Sequence, residues 1–219
     1  MTNSNRRILE KLSKAANQAD RDETNIKLIA VSKEQPEERI ENSLASGQRV
    51  FGENRVQEAF QRWQLRKSVY PDLELHLIGP LQSNKAADAV ALFDVIHTVD
   101  RPKIALVLSQ EMASAQRSIP CFIQVNTGEE EQKAGILPHD LDTFLSFCRK
   151  EAALQIVGLM CIPPIDEEPA LHFALLKTLA DKNDLSELSM GMSADFETAI
   201  LCGATHIRVG SAFFGLRPT

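Results

Sequence analysis

The stretch IKLIAVSKEQP, residues 26–36, reads as a short buried strand that ends on a single lysine. Ile26, Leu28, Ile29, Ala30 and Val31 form an apolar run of strand length, rich in β-branched residues. That is the composition of a parallel strand covered on both faces. Lys33 sits at its carboxyl end, and Pro36 suits the first turn of a helix. An amine at the edge of a core is placed to capture a carbonyl compound. On this segment alone an ordinary surface lysine closing a loop is the simpler reading.

Outward from this strand the chain settles into a beat of apolar run, loop and amphipathic segment. Before it, residues 3–20 pattern as a polar amphipathic helix with Asn3 or Ser4 as cap and a stripe of Ile8, Leu9, Leu12, Ala15 and Ala16. After it come a helix over 36–46 stopped by Gly47, then RVFGEN with a helix over 56–67, LELHLIG with one over 84–92, and DVIHTVD with one over 101–115. PCFIQVN is followed by 138–151, LQIVGLMCI by 169–182, ELSMG by 194–201, and HIRVG leads into SAFFGLRPT. Eight such units without a break in composition predict a single (β/α)8 TIM barrel of the α/β class, with an extra N-terminal helix, spanning residues 1–219 as one domain. The competing open Rossmann-like sheet lacks a GxGxxG after any predicted strand.

The 219 residues are 43% hydrophobic and 25% charged, an ordinary globular composition. A net charge of −6 argues against a general nucleic-acid surface. No apolar run approaches the ~20 residues of a membrane span, and the opening MTNSNRR is no signal peptide, so a cytoplasmic location is expected. Cys121, Cys148, Cys161 and Cys202 are scattered among apolar residues without zinc-type spacing and are expected as buried thiols. The five histidines form no paired motif; no metal site is expected, and His97 and His206, in strand-like runs, are read as structural.

A barrel places function at the carboxyl ends of its strands. After strand eight, Gly210-Ser211 opens a short turn whose free backbone N–H groups suit an anion, and Ser193 offers a hydroxyl from the loop after strand seven. The residues alone leave a phosphate site open beside plainer readings, since Ser-Ala-Asp-Phe-Glu is also a good helix start and Gly210 could serve packing. Arg208 would point the same way as Gly210 and needs a polar partner in a barrel mouth, either a ligand or a carboxylate such as Glu53.

Five segments, AVSK (30–33), FGENRVQE (51–58), HLIGPLQSNK (76–85), SMGMSADFE (189–197) and RVGSAFFG (208–215), closely resemble the pyridoxal phosphate homeostasis proteins, also called the proline synthetase co-transcribed family. The resemblance runs over essentially the whole chain, with the motifs in order. It implies a barrel similar to the N-terminal domain of bacterial alanine racemase. By the same resemblance, Lys33 would hold pyridoxal 5′-phosphate (PLP) as a Schiff base, a covalent aldimine. Ser193, Gly210 and Ser211 would bind the phosphate, Arg208 would face the pyridine nitrogen, and Asn54 would lie near the ring. Arg55 departs from the pattern, standing where many relatives carry an aromatic residue.

A cationic arginine opposite the ring nitrogen disfavours its protonation and weakens the electron sink of PLP chemistry, although alanine racemase works with a similar arginine. Racemisation also needs acid/base groups on both faces of the substrate carbon. Lys33 serves one face; the only tyrosine, Tyr70, precedes strand three on the wrong side of the barrel, and no second domain is expected. The expectation is therefore a non-enzymatic, monomeric PLP carrier without catalytic residues, acting in vitamin B6 homeostasis and amino-acid/keto-acid balance. Its partners would be PLP, with PLP-dependent apoenzymes or a regulatory protein, and no nucleic acid or membrane. A weak amino-acid racemase and a PLP-responsive regulatory module are the alternatives.

Overall fold

The computed structural model describes residues 3–215. Eight parallel strands close into a barrel in sequence order, β1 to β8, with β8 pairing back on β1. The strands are β1 (Lys27–Val31), β2 (Val50–Glu53), β3 (Glu74–Leu77), β4 (Val95–Val99), β5 (Cys121–Gln124), β6 (Ile156–Met160), β7 (Glu187–Ser189) and β8 (His206–Val209). The helices are α1 (Asn3–Gln18), α2 (Glu37–Ala45), α3 (Val56–Val69), α4 (Ala86–Leu92), α5 (Pro102–Ser114), α6 (Leu141–Lys150), α7 (Pro169–Lys182), α8 (Phe196–Leu201) and α9 (Ser211–Phe214). The expected beat is the observed one, with boundaries differing by a few residues.

Helix α1 lies across α8 and α9, burying Ile8, Leu12, Ala15 and Ala16, whereas Leu9 turns outward and is 39% exposed. The side chains of residues 3 and 4, expected as caps, lie outside the described residues. The helix before β8 starts later than expected: α8 begins at Phe196 with Asp195 at its N-cap, leaving Ser193 in the preceding turn. Asp195 makes no side-chain bond into α8; its carboxylate turns back to accept the Met192 N–H at 2.6 Å, which closes the turn that holds Ser193 outside the helix.

Most of the apolar core lies between sheet and helices, where Ile40, Phe51, Trp63, Leu75, Phe93, Ile123 and Phe173 are fully enclosed. The barrel interior is different. Such interiors are usually filled by layers of branched aliphatic side chains. Here the apolar filling is a separate small cluster of Val95, Phe122 and Met160. Beside it lie His76, His97, Ser189, His206 and Arg208, all buried. The polar residues follow the two-residue period of a strand: Glu74 and His76 on β3, His206 and Arg208 on β8. Each therefore projects with its neighbour to the same face.

Candidate functional site at the carboxyl end of the barrel

Lys33 stands two residues beyond β1, held by a loop with unusual support. The Ser32 N–H extends the ladder to Gly52 O at 3.1 Å, the Gln35 N–H turns back to Ser32 O at 3.1 Å, and Glu34 takes a left-handed φ of 58°. Beneath this turn lies Glu53 at the end of β2, completely buried. Its Oε1 accepts from Ser32 Oγ at 2.6 Å, Arg62 Nη1 at 3.0 Å and Trp63 Nε1 at 2.9 Å. Arg62 also donates to Ser32 O at 2.8 Å and Gln35 O at 3.2 Å, so α3 grips the loop on both sides of Lys33. The Lys33 side chain is 26% exposed, with Nζ 3.8 Å from Glu34 Oε1.

Asn54 follows β2 at the same rim. The backbone after β3 passes so close that a Cβ on Gly79 would fall inside Asn54 backbone atoms, so only glycine lets the two strand ends meet. Across the mouth, Ser193 Oγ accepts the N–H groups of Gly210 at 3.3 Å and Ala212 at 3.4 Å, tying the loop before α8 to the first turn of α9. The Ser193 hydroxyl thus serves α9 rather than capping α8.

Arg208 is 4% exposed and projects into the barrel beneath this turn. Its partner is not Glu53, which occupies the opposite face of its strand and is committed to α3. Instead Nη1 donates to Ser189 Oγ at 2.6 Å and Nη2 to Cys161 O at 2.8 Å. Burial pushes the guanidinium below the ordinary arginine value. With five donors on an arginine and two bonds made, donors remain for a ligand.

These residues share one cavity. A space of ≈ 650 Å³ is lined by Lys33, Asn54, Ser193, Arg208, Gly210 and Ser211 together with Val31, Ile78, Ile162, Met192 and Ala194. All six residues singled out in the sequence stand on its wall, and its size is that of a small-molecule site. A second space of ≈ 870 Å³ adjoins it through Lys33 and Asn54. A larger hollow of ≈ 960 Å³ along α1 carries none of these groups. Arg55, the departure from the family pattern, faces the second space, 2.8 Å from Glu58.

The residues fit a phosphorylated aldehyde with a ring acceptor. A Cβ on Gly210 would meet nothing closer than Val31 at 3.5 Å, an ordinary contact, so protein packing does not demand glycine there. Close approach of a ligand to the backbone does supply a reason. Lys33 gives a primary amine, the Gly210–Ala212 turn gives backbone donors, and Arg208 gives a buried cation between them. Among the described residues no group of three His, Cys, Asp or Glu could hold a metal ion. The cysteines are unbonded, and burial pushes Cys148 and Cys161 up to about 12, making them unreactive thiols. Among the described residues no helix is long and apolar enough to cross a membrane.

A closed parallel barrel with an amine after its first strand and a short helical turn after its last defines a class of α/β barrels built like one domain of a racemase. The chain belongs to the alanine racemase N-terminal domain family, whose model matches residues 6–218. It is 38% identical to the pyridoxal phosphate homeostasis protein of Haemophilus influenzae, covering 96% of this chain and 93% of that one. It is 40% identical to the protein of the same name from Vibrio cholerae, with the same coverage. Among solved structures, PipY of Synechococcus elongatus with PLP bound superposes with a TM-score of 0.79 at 39% identity, covering 94% of this chain and 100% of that one. An alanine racemase of Clostridium difficile shares the fold, at a TM-score of 0.69 and 14% identity, covering 96% of this chain and 58% of that one.

Sequence reasoning missed the residues standing behind the site. Cys161, whose carbonyl holds Arg208, sits at a strand end without any motif, and Ser189 opens the SMGMSADFE segment without any signal that its hydroxyl serves Arg208. The Glu53–Arg62 pair joins a strand to a helix nine residues on. The signal for the polar interior was the two-residue spacing of Glu74 with His76 and of His206 with Arg208.

Proposed function

We propose that this protein binds PLP in the Lys33 cavity and acts in PLP homeostasis as a non-catalytic holder of the cofactor. The observation that carries this reading is the convergence of Lys33, Arg208 and the Ser193–Gly210–Ser211 turn on one cavity. PLP supplies an aldehyde carbon that a primary amine can take with loss of water. Lys33 Nζ is that amine, held at the rim by the Arg62 grip on its loop. The Ser211 N–H and the proton of the Ser193 hydroxyl, whose oxygen takes the Gly210 and Ala212 N–H groups, bind the phosphate beside the Gly210 backbone. Arg208 turns a remaining N–H to the ring nitrogen and keeps it unprotonated, and Asn54 borders the ring.

The wall favours holding over turnover. Among the described residues the lining of this cavity includes no Tyr, His, Cys, Asp or Glu, so no second acid/base of these types shares this wall with Lys33; the nearest carboxylate around it, Glu58, lines the adjoining space. Tyr70 caps α3 at the opposite end of the barrel, its ring 4.9 Å from the Arg49 guanidinium. In this reading the protein is a cytoplasmic monomer of one domain, residues 1–219, that yields PLP to apoenzymes.

The test is an absorbance titration with PLP, followed by borohydride reduction and peptide mapping. A visible band trapped on Lys33, and lost in Lys33→Ala without loss of the fold, is the expected result. A band that survives Lys33→Ala overturns the assignment. Amino-acid racemisation well above that of free PLP would replace the holder by an enzyme.

A further inference from the structure

The interior side chains form one continuous line. Arg208 Nη1 lies 2.6 Å from Ser189 Oγ, Ser189 Oγ 2.8 Å from His97 Nδ1, and His97 Nε2 2.8 Å from His76 Nδ1. His76 Nε2 is 2.9 Å from Glu74 Oε1, and Lys27 Nζ contacts both Glu74 oxygens at 2.7 and 3.0 Å. Ser189, His76 and His97 are fully buried. The line runs from the cofactor cavity through the barrel to its opposite end.

Its two ends fix the direction of every bond between them. An arginine only donates, so Ser189 Oγ accepts there. At the far end the Lys27 ammonium holds Glu74 ionised, and a carboxylate only accepts, so His76 donates from Nε2. A neutral His76 then accepts at Nδ1, His97 donates from Nε2 and accepts at Nδ1, and Ser189 gives its proton to His97. Every group is satisfied once, with both rings neutral and protonated on Nε2. Placing a second proton on His76 would reverse His97 and leave Ser189 facing two donors. Of the charges around the rings, Glu74, in contact with His76 Nε2, and Asp94 favour that state, whereas Lys27 opposes it at His76 and Lys27 and Arg208 oppose it at His97; His206, 5.9 Å from His76 and 5.7 Å from His97 between centroids, is itself held neutral by burial. Phe122, stacked on His97 at 4.3 Å, offers no acceptor. Burial opposes that state at both rings, lowering both histidines below their ordinary value.

We propose that His97 is a positioning residue of the cofactor site: backed by His76 and Glu74, it turns a Ser189 lone pair toward Arg208 and so fixes the guanidinium on the cavity wall. The chain can be read without ligand, and only its effect on affinity rests on the PLP reading above.

The experiment is nitrogen-15 NMR of the ligand-free protein at pH 7, reading imidazole tautomers and the Arg208 guanidinium protons. Both His76 and His97 should be neutral and protonated on Nε2. An imidazolium or an Nδ1–H ring at either position overturns the chain. In His97→Leu the Arg208 side-chain signals should broaden or shift. In His97→Asn, whose Oδ1 can take the Ser189 proton, they should stay near wild type. Identical Arg208 signals in wild type and His97→Leu refute the positioning role. Should His97→Leu not fold, Ser189→Ala replaces it as the variant that must disturb Arg208 while leaving the His76 tautomer unchanged. A PLP titration follows: about tenfold weaker binding is expected for the Leu variant, the value of one hydrogen bond, and recovery to within about threefold for Asn. Wild type that fails to bind PLP refutes the cofactor reading and leaves the tautomer result standing.

Discussion

Arg208 combines a charge, near-complete burial and no carboxylate partner. Desolvating a guanidinium is costly, and two neutral acceptors, Ser189 Oγ and Cys161 O, offset only part of that cost. Such a cation attracts a ligand acceptor more strongly than one already neutralised. Arg208→Gln shortens the side chain and removes donors, so one buried acceptor is left without a partner. The expected cost is about 1–3 kcal/mol, read from the urea midpoint at unchanged m. PLP affinity should fall at least about tenfold, and the spectrum of the bound cofactor should change. Unchanged spectrum and affinity would remove Arg208 from the ring nitrogen. Burial thus adds a stability cost to a substitution that the sequence alone would treat as affecting only the ligand.

At the scale of elements, α3 connects core packing to the site. Trp63 and Arg62 both reach Glu53, and Arg62 continues to the backbone around Lys33. Arg62→Ala would leave a buried carboxylate with two neutral donors, a loss of about 3–5 kcal/mol in denaturant unfolding. Arg62→Lys should recover little, because a single ammonium cannot span Glu53, Ser32 and Gln35 as the planar fork does. A lysine variant as stable as wild type would show that charge alone holds the loop. These contacts also mark where the sequence stopped being readable. Strands and helices were legible because apolar runs such as Ile26–Val31 alternate with Gly and Pro punctuation, and the six cavity residues because motifs sit at strand ends. The Glu53 partner was misjudged because one position along β2 decides between the mouth and α3, and no local pattern reports that phase. The α8 start was misjudged because Ser193 and Asp195 are both good caps, and only the position of α9 decides which hydroxyl goes where.

For the molecule as a whole, the polar interior predicts sensitivity to mild acid. Burial holds His76 and His97 below the ordinary value and takes His206 down to about 3. The unfolded chain binds these protons near pH 6.5 while the folded protein does not. Stability is therefore full above that pH and is lost as pH falls from 6.5 toward the depressed values. Between pH 7.5 and 5.5 His206 alone costs about 1.4 kcal/mol, and His76 and His97 act in the same direction. Urea midpoints across that interval check this; a flat profile would mean that the rings take up protons in the fold at the same pH as in the unfolded chain, and stability rising on acidification that they are already charged in the fold. The same line of side chains constrains how the sequence can diverge. Replacing any one member leaves its neighbours buried and unsatisfied, whereas replacing Glu74, His76, His97 and Ser189 together by aliphatic residues of matching volume would restore an ordinary barrel core. Their substitution costs are therefore epistatic: the intermediates are worse than either end state, and drift through single changes is blocked in the interior of the barrel while the exposed faces of the helices outside it carry no such coupling.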